Sequence, residues 1–165
     1  MQKPGNLFTD TRSLVIVFTV LAHLTIDQLT KAWINNYPPG QEITRFGFIR
    51  IVHINNTGAA FGLFQGQNTV LAILAGTGLV VFLCLGFIIY RRLPYLVTKW
   101  NQIAYSLIIG GTTGNLIDRL RFGMVTDFID PGFWPAFNAA DAGISIGAVM
   151  LAISILRLAL KEKSQ

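Results

Sequence analysis

Four long apolar runs alternate with polar segments along the chain, and each approaches the roughly 20 residues that a helix needs to cross a bilayer. The runs cover about residues 14–34, 70–90, 103–120 and 142–160. The first run is too long for the core of a signal peptide, and we expect it to be retained. The pattern therefore predicts an all-α membrane protein with four transmembrane helices, built as one integral membrane domain over residues 1–165.

The segments between the runs differ in length and character. Residues 91–102 form a short basic connection, whereas residues 37–68 contain the alternating stretch "QEITRFGFIRIVHI". Alternation of apolar and polar positions predicts a small pair of strands in this β-containing outer segment. After the third run, "MVTDFIDPGFWPAF" is interrupted by glycine and proline, which predicts an irregular outer loop.

The composition agrees with a membrane protein and narrows the alternatives. Hydrophobic residues make up 52% of the chain and charged residues only 13%, whereas charged residues reach about a quarter in soluble domains. The 13 Lys and Arg residues outnumber the 8 Asp and Glu residues, but they are scattered and form no basic block with interleaved aromatics, so we expect no nucleic-acid partner. The single cysteine, Cys84, excludes an internal disulfide and any cysteine-based metal cluster.

The distribution of positive charge predicts how the spans are oriented. With both termini in the cytoplasm, eight Lys and Arg residues face the cytoplasm and five face outward, as the positive-inside rule requires. Because successive spans reverse direction, the end of the first span, the end of the third, the following loop and the start of the fourth share the outer face. Six acidic residues then fall on that face: Asp27, Glu42, Asp118, Asp127, Asp130 and Asp141.

A carboxylate near hydrocarbon costs about 2.5 to 3.5 kcal/mol at a helix centre, so each of these acids needs a role. Asp27 and Lys31 have the i, i+4 spacing of an ion pair within one helix. Asp118 and Arg119 are adjacent, do not face each other, and are expected to find partners elsewhere. Asp130 precedes a proline, which favours a structural role in a turn.

Asp127 and Asp141 leave two interpretations open. Asp141 stands at the start of the fourth span, where a carboxylate can cap the first turn of a helix. Alternatively, the two acids converge as a carboxyl pair that shares one proton and supplies both a base and an acid. The same acids could hold Mg²⁺, although the chain lacks a clustered D-x-x-D or a histidine-bearing ligand motif.

Small and aromatic residues near these acids also have alternative roles. Glycines 110, 111 and 114 on the third run and 143 and 147 on the fourth predict close packing of these helices. Several aromatics could grip lipid chains or simply anchor the protein at the membrane interface, namely Phe61, Phe64, Phe128, Phe133 and Trp134.

Five motifs occur in order along nearly the whole chain. They are "DQLTK" at 27–31, "NNTGAAFG" at 55–62, "GGTTGNLIDR" at 110–119, "VTDFID" at 125–130 and "FNAAD" at 137–141. Through them the chain resembles the lipoprotein signal peptidases, also called signal peptidase II, which are aspartic proteases of the bacterial inner membrane. No motif position departs from the pattern.

The resemblance implies that Asp127 and Asp141 are the catalytic pair. It implies further that eight residues shape or brace the site: Asp27, Lys31, Asn56, Gly58, Asn115, Asp118, Arg119 and Asn138. Among these, Asn56, Asn138 and Arg119 could donate hydrogen bonds to substrate carbonyls or to the carboxylates, or could brace the loops.

The implied substrate is a prolipoprotein whose signal peptide ends at a cysteine carrying diacylglycerol, with cleavage just before that cysteine. The site must then lie near the outer surface of the inner membrane, in agreement with the parity of the spans. We expect no cofactor or metal, membrane lipids as the surroundings, and a monomer.

Two rival functions remain open on the residues alone. In a small ion-coupled transporter or channel subunit, the paired charges on the first and third runs would serve as relay or gating groups. Transporters place such groups near the midplane between internal repeats, whereas this chain has no visible repeat and its acids gather at one end. A purely structural scaffold would leave the acids without a role.

Overall fold

The computed structural model describes residues 11–59 and 63–163, which form four long helices, a short 3-10 turn and a small sheet. The helices are α1 (Thr11–Ile34), α2 (Asn68–Arg92), α3 (Lys99–Phe122) and α4 (Ala139–Lys163). Each helix contains one predicted apolar run and extends beyond it into polar residues. Helical hydrogen bonds join backbone groups, so they continue through polar side chains. The four predicted helices are therefore confirmed.

Among the described residues, three helices are long and apolar enough to cross a membrane, namely α1, α2 and α4. The helix α3 falls short because its polar side chains lower its hydropathy. Gln102, Ser106, Asn115 and Asp118 on α3 are all buried, and α3 packs against each of the other three helices. These polar residues of α3 therefore face protein and not lipid. The prediction of four membrane spans is supported for three helices.

Close contacts between α3 and its neighbours depend on glycines, as predicted. A Cβ atom placed on Gly111 would overlap the backbone oxygen of Ala140 on α4, and one on Gly114 would overlap the carboxylate of Asp27 on α1. The absence of side chains at these positions lets the acidic side chain of α1 reach the interior of the bundle.

Three strands form a small antiparallel sheet, in which they lie side by side in the order β1 (Glu42–Phe46), β2 (Ile49–Asn56) and β3 (Val125–Asp130). In the sequence, β1 and β2 come between α1 and α2, and β3 comes between α3 and α4. The predicted strand pair is confirmed as β1 and β2, which are joined by a tight turn with Gly47 at φ 62°. A positive φ is easily adopted by glycine because it has no Cβ.

The outer loop after α3 was predicted to be irregular, and for its first half this is wrong. Residues Val125 to Asp130 form β3, which pairs with β2 so that Asp127 stands opposite Ile54 and Val125 opposite Asn56. The glycines and prolines that suggested an irregular backbone all lie outside this six-residue strand. Residues 131–136, beyond the strand, are irregular.

The sheet is attached to the ends of α1 and α3 by specific contacts. His53 Nδ1 of β2 lies 2.6 Å from the backbone oxygen of Tyr37, just after α1. Thr126 Oγ1 of β3 donates to Asn35 Oδ1 at 3.0 Å. Gly123 ends α3 in the left-handed conformation, with φ 73°, and turns the chain directly into β3. These contacts fix β2 and β3 at the ends of α1 and α3.

Candidate active site

Asp127 and Asp141 belong to different secondary-structure elements but line the same cavity of about 470 Å³. Asp127 comes from the middle of β3 and Asp141 from the first turn of α4. Four residues that the sequence predicted as site-supporting also line this cavity: Asn56, Gly58, Asn115 and Arg119. The remaining wall is largely apolar and includes Trp134, Phe137, Ile144 and Ile146.

The start of α4 explains how Asp141 is held. The Asn138 side-chain oxygen accepts a hydrogen bond from the Asp141 backbone N–H at 2.9 Å, and the Asp141 carboxylate accepts from the Asn138 backbone N–H at 3.3 Å. This reciprocal arrangement is a capping box, in which Asn138 is the N-cap and Asp141 lies three residues later. Asp141 thus contributes to capping and faces the cavity as well.

Asn138 also connects the two carboxylates. Its side-chain amide, which is fully buried, donates to Asp127 Oδ1 at 2.8 Å. Asn56 Nδ2 donates to the other oxygen of Asp127 at 2.8 Å. Asn115 Nδ2 donates to Asp141 Oδ1 at 2.7 Å. Each carboxylate therefore receives two N–H donors, so the two acids have closely similar surroundings.

Behind the pair, Lys31 forms a buried charge cluster with two further acids. Its Nζ lies 2.9 Å from Asp27 Oδ2 and 2.9 Å from Asp118 Oδ2, and donates to Asn115 Oδ1 at 2.8 Å. A lysine ammonium has three protons, so all three are used. The predicted ion pair between Asp27 and Lys31 is confirmed, and Asp118 finds its partner on another helix, as expected.

The charge cluster links four elements of the fold. Asp27 of α1 accepts from the Ala140 backbone N–H of α4 at 2.9 Å. Asp118 of α3 accepts from the Thr126 backbone N–H of β3 at 3.4 Å. Since Ala140 and Thr126 each adjoin one acid of the pair, the cluster fixes the backbone on which both acids are mounted.

Arg119 and Gly58 connect α3 with the segment after β2. Arg119 Nη2 donates to the Gly58 backbone oxygen at 3.2 Å, and the Gly58 N–H donates to Asn56 Oδ1 at 2.9 Å. A Cβ on Gly58 would lie 2.9 Å from the Leu63 backbone oxygen. Glycine is therefore required here for space. Phe61 lies outside the described residues.

Burial dominates the electrostatics of Asp127. Loss of solvent raises the pKa of the Asp127 carboxyl to about 7, and the negative charge of Asp141 acts in the same direction. Hydrogen bonds from Asn56 and Asn138 and the positive charge of Lys31 oppose this shift in the pKa without cancelling it. A carboxyl group with such a pKa can hold a proton near neutral pH and give it up during a reaction.

Asp130 and Phe128 are structural residues of β3 and its following turn. Asp130 Oδ1 accepts from the Gly132 N–H at 2.8 Å, and the other oxygen pairs with Arg50 of β2, which confirms its structural place in a turn. Phe128 is buried, whereas Phe133 is 79% exposed, so Phe128 is not a surface anchor.

Within residues 11–59 and 63–163, no group of three or more His, Cys, Asp or Glu side chains converges on a possible metal position.

Two residues that hold the site together were missed by the sequence analysis. Gln28 Nε2 donates to Asp118 Oδ1 at 3.1 Å and to Asp27 Oδ2 at 3.2 Å. The ring nitrogens of His23 lie 3.1 Å from the Leu107 backbone oxygen and 3.0 Å from the Ala139 backbone oxygen. His23, Asp27 and Lys31 recur at intervals of four, so this polar stripe on an apolar helix could have revealed the buried face of α1.

Fold and site together define a helical membrane protein with a pair of buried acids at one end of its helices, a class that includes membrane-embedded proteases. Comparison with known families specifies this further, because residues 19–157 match the family model described as signal peptidase (SPase) II. The chain belongs to the signal peptidase II family.

Relatives with closely similar sequences agree. The chain is 41% identical over 147 residues to the lipoprotein signal peptidase of Dehalococcoides mccartyi, covering 88% of this chain and 91% of that protein. It is 36% identical over 181 residues to that of Syntrophus aciditrophicus, covering 99% and 100%. Two solved structures of bacterial membrane enzymes superpose with TM-scores of 0.74 and 0.70, at 30% and 31% identity. They cover 91% and 90% of this chain, and 90% and 94% of their own.

Proposed function

We propose that this protein is a membrane aspartic endopeptidase that removes the signal peptide from diacylglyceryl-modified prolipoproteins, cutting just before the lipidated cysteine. The observation that carries the proposal is the placement of Asp127 and Asp141 in one cavity, each with two N–H donors on its carboxylate. Family membership supplies the class of substrate, and the acid pair supplies the chemistry.

In the proposed mechanism the two acids share one proton. The ionised acid takes a proton from a water molecule, and the resulting hydroxide attacks the scissile carbonyl carbon. The protonated acid donates its proton to the carbonyl oxygen, and collapse of the tetrahedral intermediate returns a proton to the leaving amine. The matched surroundings of Asp127 and Asp141 suit groups that exchange roles within one cycle. The pair titrates as a unit.

Asn138 and Arg119 have different roles in this mechanism. Asn138 binds both acids and keeps them at a fixed separation, so we assign it a positioning role. Arg119 lines the cavity while one of its nitrogens bonds to the Gly58 backbone oxygen. Its other guanidinium nitrogens can bind substrate carbonyls, since arginine carries five N–H donors.

Placement in the membrane follows from the helix ends that build the site. The end of α1, the end of α3 and the start of α4 all contribute, and we propose that these ends face outward while both termini are cytoplasmic. In this arrangement α3 is a fourth span, shielded from lipid by α1, α2 and α4. The apolar wall of the cavity then adjoins hydrocarbon, where diacylglyceryl chains can remain while the scissile peptide meets water.

The proposed cellular location is the bacterial inner membrane, and the proposed working unit is a monomer, because a single chain supplies both acids and all their donors. Cysteines introduced in place of Lys99 and Gln65 test the orientation. An impermeant thiol reagent should label the first only from the cytoplasmic side and the second only from outside. The reverse labelling would place the acids on the wrong face.

Single substitutions of the acids test the proposed function. Asp127→Asn and Asp141→Asn each keep side-chain size but cannot exchange a proton, so each should abolish release of the signal peptide from a lipidated prolipoprotein. The double variant should be scarcely worse than either single one, because groups that act as a unit lose activity only once. Asp130→Asn is the matched control and should retain most activity.

Three results would contradict the proposal. If the two single losses multiply, with each variant retaining substantial activity, the acids work independently. If Asp130→Asn is inactive while Asp141→Asn is active, the wrong pair has been assigned. If EDTA stops cleavage and Mg²⁺ restores it, a bound metal and not the acid pair activates the water.

A further inference from the structure

A second cavity, of about 260 Å³, lies at the opposite end of the helices from Asp127 and Asp141. Its wall comes from α2, α3 and α4, from Leu96 and Val97 in the connection between α2 and α3, and from Ile16 of α1. Its wall is almost entirely apolar, and at its edge Leu85, Ile89 and Ile155 are exposed on the outside of the bundle. The cavity therefore opens toward the surface that faces lipid.

The apolar wall carries two polar atoms without partners. Gln102 is 4% exposed and lines the cavity, yet its Oε1 atom accepts no hydrogen bond. Asn101 also lines the cavity, and its Oδ1 atom is likewise buried and unpartnered, while its Nδ2 donates to the Leu96 backbone oxygen at 2.7 Å. Both oxygens lie just behind the cavity surface and lack a donor, so a ligand with hydroxyl donors pairs with them when the two amide side chains turn toward the cavity.

Basic residues adjoin the lining residues along the chain at this end of the helices. Arg91 and Arg92 follow the lining residue Tyr90 directly, Lys99 precedes Asn101 by two positions, and all three basic side chains are exposed. On α4, Arg157 immediately precedes the lining residue Leu158. The sequence has no acidic residue from 43 to 117, so α2 and the first part of α3 offer no opposing charge.

We propose that this cavity binds one anionic glycerophospholipid of the type of phosphatidylglycerol. An acyl chain occupies the apolar wall, the phosphate lies among the basic residues, and headgroup hydroxyls donate to Gln102 Oε1 and Asn101 Oδ1. On the proposed topology this is a lipid of the cytoplasmic leaflet, distinct from the substrate lipid at the other end. A signal peptide is a poorer fit, since its amino-terminal region is positively charged and would be repelled.

The test uses the full chain, delipidated in detergent and titrated with single lipids while bound lipid is counted by native mass spectrometry. The lipids are dioleoyl phosphatidylglycerol, dioleoyl phosphatidylmethanol, which is anionic without headgroup hydroxyls, and dioleoyl phosphatidylcholine. We expect one molecule of the first to bind most tightly and phosphatidylcholine to bind most weakly. Because the readout is bound mass, it is independent of whether the protein cleaves prolipoproteins.

Two variants should each weaken one kind of discrimination between the lipids. Arg91→Gln combined with Arg92→Gln should weaken both anionic lipids by about five-fold per charge. Gln102→Leu should reduce the preference for phosphatidylglycerol over phosphatidylmethanol by about two- to ten-fold, the loss for one hydrogen bond, while Asn101 keeps the remainder. If Gln102→Leu loses its helical circular dichroism, Ser154→Phe replaces it as a cavity-filling variant that should reduce binding of all three lipids. Arg121→Gln, at the other end of α3, is the matched charge control.

Equal binding of the three lipids would overturn the proposal, as would variants that bind like the wild type. A loss with Arg121→Gln as large as that of the double variant would show that charge acts at a distance and not in this cavity. Displacement of phosphatidylglycerol by an equimolar basic signal peptide would assign the cavity to peptide and refute the assignment to lipid.

Discussion

Replacing Lys31 with methionine tests the buried charge cluster most directly. Methionine keeps the unbranched side chain but removes the ammonium group, which is bonded to Asp27, Asp118 and Asn115. Two buried carboxylates then lose their positive partner. Removal of one member of a buried ion pair costs about 3 to 5 kcal/mol, whereas an exposed pair contributes about 0 to 1 kcal/mol.

The remaining donors decide where in that range the cost falls. Without Lys31, Asp27 keeps the Ala140 N–H, and Asp118 keeps the Thr126 N–H, while Gln28 donates to both acids. These bonds still satisfy part of each carboxylate, so we expect a loss near the lower end, about 3 kcal/mol in the free energy of unfolding.

Unfolding by sodium dodecyl sulfate in mixed micelles, followed by circular dichroism, measures the loss. The double variant Lys31→Met/Asp118→Asn should be less destabilised than the sum of its single variants by about 1 to 3 kcal/mol, because neutralising Asp118 removes one uncompensated charge. Arg45→Met is the matched control, since its pair with Glu42 is exposed, with side chains 52% and 37% accessible.

Two results would refute this reasoning. If Lys31→Met costs no more than Arg45→Met, the cluster contributes no more than a surface ion pair. If the single-variant losses simply add in the double variant, Lys31 and Asp118 are not coupled and the contact has no energetic role.

Other expectations concern the acid pair and the loop beside it. Because the pKa of Asp127 is raised to about 7, kcat/KM should fall ten-fold per pH unit as the pH rises above about 7 and the shared proton is lost. Lys31 lowers that pKa, so Lys31→Met should move this decline to higher pH. Because burial disfavours ionised Asp127, the free energy of unfolding should fall by at most about 1.4 kcal/mol for each unit by which the pH rises between pH 4 and 7. The Asp127→Asn variant should lack this contribution to the pH dependence. Asn138→Ser should keep the helix cap but lose the buried donor to Asp127, and with it activity. Asn138→Ala should lose about 1 kcal/mol more, because it also removes the cap; unfolding and turnover assays measure the two effects separately. Gly58→Ala should already slow turnover, because its Cβ would lie 2.9 Å from the Leu63 backbone oxygen, and the bulkier Gly58→Val should slow it further. Wild-type kinetics for both variants would show that the segment moves aside freely.

The helices could be predicted from the sequence because hydrophobicity is a local property of the chain. A run of about 20 apolar residues must form helix in a bilayer, where each backbone polar group needs an internal partner. The same local logic identified the β1–β2 pair and the ion pair between Asp27 and Lys31, whose spacing of four places both on one helical face. Ordered motifs identified the acids and the family.

Other features were decided only by tertiary contacts. β3 was missed because a strand of six residues depends on pairing with β2, some 70 positions earlier in the chain, and its flanking prolines and glycines suggested an irregular loop. The weak hydropathy of α3 has the same origin, since its polar residues are tolerated only where α1 and α4 provide partners. Gln28 likewise acquires its role only when α1 meets α3, and His23 only when α1 meets both α3 and α4.

The pairing of Asp127 with Asp141 combines both kinds of information. The sequence determined that two acids flank the loop before α4, and the family motifs singled them out. Asn138 caps α4, donates to Asp127 of β3 and exchanges hydrogen bonds with Asp141, and this depends on the fold bringing β3 to the start of α4. Such an arrangement cannot be read from spacing along the chain, because burial, shared donors and a raised pKa arise from groups that only the folded structure brings together.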